Sequence, residues 1–170
     1  MIDDIGVLTR GLLNMTKKLG IGDQFPNITL NLVSGGELVL PAGMDGIYNI
    51  VLFYRGHWWP YCRRQLVGFE EQKDALNLLN ATVVAGSVDQ GEKASEVAEE
   101  VSFPIAEGVT REIADTLGSW WEDRREIIQP SEFIIDSAGK IVISSYSDGP
   151  LGRFDANDVV RLINFYESRK

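Results

Sequence analysis

One thiol is available to this chain, Cys62, at the end of the run Phe53-Tyr54-Arg55-Gly56-His57-Trp58-Trp59-Pro60-Tyr61-Cys62. The apolar segment from Ile47 to Tyr54 predicts a buried strand. Gly56 breaks it, and Pro60 suits the first turn of a helix. Cys62 then falls in that first turn, with Arg63 and Arg64 beside it. Helix-start N–H groups and neighbouring cations favour thiolate over thiol, and a thiolate there is a nucleophile. Dithiol chemistry within one chain is excluded by the count alone, because a mixed disulfide would meet no second thiol to resolve it. Two outcomes remain. A peroxide can oxidise the lone thiolate to a sulfenic acid that an external thiol reduces. Alternatively, the sulfur is buried as a small hydrophobe and is inert.

The neighbours of Cys62 divide in the same way. His57 is the only histidine. It serves either as a cation or base that tunes the thiol or as a variable loop residue. Arg55 suits a structural ion pair with a carboxylate behind the loop. Trp58 and Trp59 form either an apolar platform for a peptide or organic substrate or the cover that buries the loop. Arg124 and Arg125 lie in Trp120-Trp121-Glu122-Asp123-Arg124-Arg125, which reads either as a source of site cations or as a solvated loop with aromatic anchors.

The elements that must position these residues follow from periodicity. Residues 1–20 predict an amphipathic helical arm with Ile5, Leu8, Leu12 and Leu19 near one stripe and Gly20 as a C-cap. The stripe packs on this chain's own sheet or on a second copy, as in a homodimer. Ile28 to Val33 and Glu37 to Leu40 flank Ser34-Gly35-Gly36, a hairpin signal. Pro60 to about Leu79 predicts a helix with Leu66, Phe69, Leu76 and Leu79 inward. Further expected elements are a strand over Thr82 to Val88, helices over Glu92 to Val101 and Thr110 to Leu117, and strands over Phe133 to Ile135 and Ile141 to Tyr146. A final helix is capped by Asp155, with Val159, Leu162, Ile163 and Tyr166 inward. This order implies an α/β fold with a mixed central sheet and helices on both faces.

The bulk numbers limit the function. The chain's 170 residues suit one domain over 1–170. The 44% apolar and 24% charged content is that of a folded protein. With 16 Lys plus Arg against 25 Asp plus Glu, the net charge of −9 argues against nucleic-acid or anionic-membrane partners. No apolar run has the roughly 20 residues of a membrane span, and no signal peptide is read at the N-terminus. One cysteine forms no internal disulfide, so a cytoplasmic location is expected. No metal or other cofactor is called for.

The strand, the Tyr54-Arg55-Gly56 turn and Trp59-Pro60-Tyr61-Cys62 resemble the peroxiredoxin-like proteins of the alkyl hydroperoxide reductase/thiol-specific antioxidant group, a branch of the thioredoxin fold. The first cysteine of that group's Cys-Pro-Tyr-Cys pattern is Trp59 here. Ile21-Gly22-Asp23-Gln24-Phe25-Pro26, Gln129-Pro130-Ser131-Glu132-Phe133-Ile134-Ile135-Asp136 and Ser147-Asp148-Gly149-Pro150-Leu151-Gly152-Arg153 are also similar to the group. The resemblance implies a thioredoxin-like fold and a small peroxide or thiol/disulfide substrate with an external thiol reductant. It also admits a redox-inactive binding protein or a glutathione-using one. Typical members carry a Thr or Ser three residues before the reactive cysteine, where this chain has Trp59, and an Arg on a later strand. Here Gln129, Pro130 and Ser131 precede Phe133, with no Arg among them. The resemblance further implies that Pro130 faces the cysteine across a cis Gln129–Pro130 bond.

Overall fold

A computed structural model describes residues 17–170. Its centre is a seven-stranded sheet. The strands are β1 (Ile28–Leu32), β2 (Glu37–Leu40), β3 (Tyr48–Phe53), β4 (Ala81–Gly86), β5 (Ile105–Glu107), β8 (Ser131–Asp136) and β9 (Ile141–Tyr146), in the order β2-β1-β5-β4-β3-β8-β9. Strands β3, β4 and β5 run parallel, and the flanking pairs are antiparallel. Strand β3 lies inside the mixed sheet, between β4 and β8. All six residues of β3 are buried, as a strand covered on both faces requires.

Alternation along β3 sorts the core into two layers. Ile50, Leu52 and Tyr54 face a cluster with Leu66 and Phe69 of helix α1 (Pro60–Glu71), Leu76 of α2 (Lys73–Leu78), Val97 of α3 (Glu92–Ala98), and Val159 and Ile163 of α5 (Ala156–Glu167). Val51 and Phe53 face the opposite layer, with Phe25, Phe133 and the Ala114 and Leu117 side chains of α4 (Arg111–Leu117). Asp155 caps α5, accepting from the Asn157 and Asp158 N–H groups at 2.9 and 3.2 Å.

Four expectations change. The long helix from Pro60 breaks at Gln72 (φ −94°, ψ 9°), and neither glycine nor proline marks the joint in sequence. The Trp120–Arg125 segment is not a plain loop. Trp121–Glu122 (β6) and Ile127–Ile128 (β7) form a small antiparallel hairpin, turned at Glu126 with a left-handed φ of 54°. The Gln129–Pro130 bond is trans, and the cis bond of the described chain is Leu40–Pro41. Most of the expected N-terminal arm lies outside the described residues. Its end, Lys17 to Gly20, is not helical. Instead, Leu19 N–H donates to the Tyr146 hydroxyl at 3.0 Å, and Ser144 Oγ donates to the Leu19 carbonyl at 2.6 Å. Those hydrogen bonds to β9 displace the helical ones. Strand β5 escaped the sequence pattern because three residues after Pro104 are too few to show alternation.

Phe69 is fully buried between α1 and the sheet. Phe69→Ala should cost about 3–5 kcal/mol of unfolding free energy in a urea melt. A loss under about 1 kcal/mol would contradict this packing.

Candidate active site around Cys62

The C-terminal end of β3 gathers the site. Tyr54 N–H still pairs with Gly86 at the end of β4, and the chain then turns away from the sheet and opens α1 at Pro60. Cys62 lies in the first turn, where its N–H bonds the Trp59 carbonyl at 3.0 Å. The N-cap, Trp59, has no side-chain acceptor, so no cap neutralises this helix end.

The sulfur is fully buried, at 0% exposure. Two donors reach it. The Arg55 backbone N–H lies at 3.4 Å, and Nη1 of Arg153 lies at 3.2 Å. A backbone N–H and a guanidinium thus both point at the one sulfur, where they can meet negative charge. Tyr54 belongs to the same cluster. Burial pushes its phenol well above the ordinary value, so it stays neutral.

Arg153 comes from the segment between β9 and α5. Its Nη2 donates to the Pro150 carbonyl at 3.0 Å, and that carbonyl also accepts the Trp59 indole N–H at 3.1 Å. Trp59 and the 147–153 segment are thus joined to each other beside the buried Cys62. Arg153 Nη1 also faces Gln65 Oε1 at 3.5 Å. Gln65 Nε2 donates to Glu132 Oε1 at 2.5 Å and to the Phe154 carbonyl at 3.0 Å. The other Glu132 oxygen accepts the Phe154 N–H. Glu132 sits on β8, 1% exposed, opposite Leu52 and Ser145. Burial pushes its carboxyl up to about 7, and the hydrogen bonds from Gln65 and Phe154 and the Arg153 charge pull against that rise.

The residues singled out in sequence are not all brought to the sulfur. Arg55 supplies its backbone N–H, while its buried side chain pairs with Glu122 of β6 at 3.3 Å and lies over the Trp58 and Trp59 rings at 5.3 and 5.1 Å. The carboxylate behind the loop is therefore Glu122. His57 turns to Asp89, with its N–H 2.6 Å and its ring Nδ1 3.1 Å from Oδ2. Arg63 pairs with Glu100 and with Glu96 at 3.7 Å, so its charge is spent on those carboxylates. Arg125 pairs with Glu122 and stacks over Trp58 at 5.5 Å, while Arg124 is exposed. Neither donates to Cys62. Pro130 is buried one residue before the Ser131–Phe53 pair, at the same sheet end as the site. Trp58, Tyr61 and Leu151 form an exposed apolar rim.

Arg153, Gln65 and Glu132 escaped the sequence reading of the site. A signal existed for Glu132, a carboxylate set directly against the apolar run Phe133-Ile134-Ile135, which must find partners if buried. Gln65 and Arg153 are 88 residues apart and meet only through the fold. Among the described residues no cluster of three or more His, Cys, Asp or Glu could hold a metal ion. None of the described helices is long and apolar enough to cross a membrane.

The model of the AhpC/TSA family matches residues 21–144, and the chain belongs to that family. A protein of Mycobacterium tuberculosis named as a peroxiredoxin is 28% identical over 142 residues, covering 79% of this chain and 90% of that one. Alkyl hydroperoxide reductase C of Mycolicibacterium smegmatis is 24% identical over 170 residues, covering 88% of this chain and 86% of its own. Among solved structures, Mycobacterium tuberculosis AhpC superposes with a TM-score of 0.75 at 20% identity, over 91% of this chain and 96% of that one. The fold is the thioredoxin-like α/β fold of peroxiredoxin structures.

The buried Glu132 has a thermodynamic consequence. A carboxyl raised to about 7 in the folded state holds a proton that the unfolded chain has released above about 4.5. Stability from this group is therefore full below about 4.5 and falls as pH rises to about 7. Relative to Glu132→Gln, the wild type should lose stability across that window in urea melts. A difference that is flat with pH, or that grows in favour of the wild type, would contradict the burial of an ionisable carboxyl.

Proposed function

We propose that this protein is a one-cysteine peroxidase that reduces hydroperoxides through Cys62. The observation that carries the reading is the sulfur in the first turn of α1, facing the Arg55 N–H and the Arg153 guanidinium. Relatives named as peroxiredoxins support it. The Cys62 thiolate attacks one oxygen of the peroxide. An S–O bond forms, the O–O bond breaks, and the departing oxygen takes a proton and leaves as alcohol or water. Cys62 is then a sulfenic acid. An external thiol displaces water from it to give a mixed disulfide. A second external thiol releases Cys62 and leaves as part of an external disulfide. Arg153 is suited to hold the thiolate and the charge that develops on the peroxide oxygens. Because Cys62 is covered, the 147–153 segment must shift for peroxide to enter.

That coverage also favours a second reading, a redox-inactive thioredoxin-fold protein that binds a peptide or partner on the rim of Trp58, Trp59 and Tyr61. Chemistry separates the two. The peroxidase reading expects peroxide consumption with an external thiol, trapping of a sulfenic acid at Cys62 by a dimedone probe, and loss of both in Cys62→Ser. Reduction of insulin disulfides should be weak in either case, since no second thiol is present. A Cys62 that no peroxide or probe modifies until the protein unfolds would overturn the peroxidase and leave the binding protein. Protection of the oxidised thiol specifically by glutathione would identify that thiol as the reductant.

A further inference from the structure

Glu132 is a buried carboxyl group that the proposed reaction does not use. Its position on β8 is otherwise a core position, between Ser131 and Phe133, both fully buried. A buried carboxylate is expensive unless its oxygens are satisfied. Here both are, and each leads toward the site. Oε1 takes the Gln65 side-chain N–H, which leaves the Gln65 carbonyl oxygen turned toward Arg153. Oε2 takes the Phe154 backbone N–H, while Gln65 also donates to the Phe154 carbonyl. Residue 154 is thus clamped on both sides of its backbone, directly after Arg153. Arg153 reaches the Cys62 sulfur from a segment outside regular secondary structure, so its aim depends on such anchors.

The geometry points to Glu132 as a positioning residue for Cys62: through Gln65 and the Phe154 backbone its two carboxylate oxygens hold the Arg153 guanidinium on the sulfur. This rests on the reading of Cys62 as a working thiol. The ionised carboxylate, which Glu132 becomes above about 7, meets both N–H groups that point at it without placing a proton against either. A glutamine at 132 has one acceptor oxygen and one NH2. It must turn the NH2 toward either Gln65 or Phe154, and whichever partner it faces loses its acceptor. If Gln65 loses it, the amide is free to flip, and a flipped amide presents NH2 to the guanidinium. If Phe154 loses it, the backbone beside Arg153 is released. The arrangement also has a testable mirror image. In the double variant Gln65→Glu/Glu132→Gln, the glutamine at 132 donates to the carboxylate at 65 and accepts from Phe154. The carboxylate at 65 then accepts Arg153 directly. Only the donation from residue 65 to the Phe154 carbonyl is lost.

The test reads the thiolate-to-thiol ratio of Cys62 in the folded protein at pH 8, about one unit above the value of about 7 at which Glu132 ionises. Ultraviolet thiolate absorbance measures it, with Cys62→Ser as the baseline, so no reagent need enter the covered site. Arg153→Met should lower the ratio about tenfold, the loss expected for a charged hydrogen bond. Glu132→Gln should lower it about as much, and adding Glu132→Gln to Arg153→Met should lower it little further. The charge-preserving swap should return it to within about twofold of the wild type. A purely structural Glu132 would lower the melting temperature but leave the ratio unchanged, or would act equally in both backgrounds. Either result overturns the proposal, as does a wild type with no thiolate signal at that pH. Peroxide consumption by the same proteins is read separately. A coupled thiolate signal without peroxide turnover would end the peroxidase reading and leave the role of Glu132 standing.

Discussion

The site depends on one buried polar chain, from Glu132 through Gln65 and the Phe154 backbone to Arg153 and on to the Cys62 sulfur. Its members come from three parts of the fold. Glu132 is on β8, Gln65 and Cys62 are on α1, and Arg153 and Phe154 lead into α5. The chain can therefore form only when the central sheet, α1 and the start of α5 are all in place. In a low-dielectric interior an unmet group in such a network is costly, so its geometry is closely specified. The apolar core supplies the free energy that fixes those elements. The polar chain uses that rigidity to aim a cation at a thiol.

The closure over Cys62 follows from the same arrangement. Trp59 stands at the N-cap of α1 and reaches the Pro150 carbonyl, to which Arg153 also donates. The bulky indole at this position thus ties the start of α1 to the covering segment. Arg55 adds to the same enclosure. Its backbone meets the sulfur, while its side chain anchors the β6–β7 hairpin through Glu122 and supports both tryptophans. On the proposed peroxidase reading, the 147–153 segment is the part of this cover that moves to admit a peroxide. That segment has no regular structure and exposes Leu151.

How legible this was depended on whether the signal was local. The continuous apolar run of β3, the Gly56 break, Pro60 and the Asp155 cap are local, and they place Cys62 in its helical turn and α5 on the sheet. The alternate faces of α1 and α5 could likewise be read from Leu66, Phe69, Val159 and Ile163. The break at Gln72 has no glycine or proline to announce it, and β5 is too short to show a period. At the site, sequence neighbours misled. Arg63 stands beside Cys62 but is committed to Glu100 and Glu96, and His57 to Asp89. The cation that meets the sulfur, Arg153, is 91 residues away. Which arginine arrives is decided by the β9–α5 connection, a tertiary fact. Likewise, the Gln-Pro-Ser lead into β8 suggested a cis bond that the chain does not adopt.

The central claim is that a fully covered cysteine is nonetheless chemically available in the folded protein. Intact-mass spectrometry after stoichiometric hydroperoxide, with the protein native throughout, tests it most directly. The protein should gain one oxygen atom, located at Cys62 by peptide mapping, and should lose it again when an external thiol is added. A native protein that keeps its mass, and takes up oxygen at Cys62 only after denaturation, would contradict the claim.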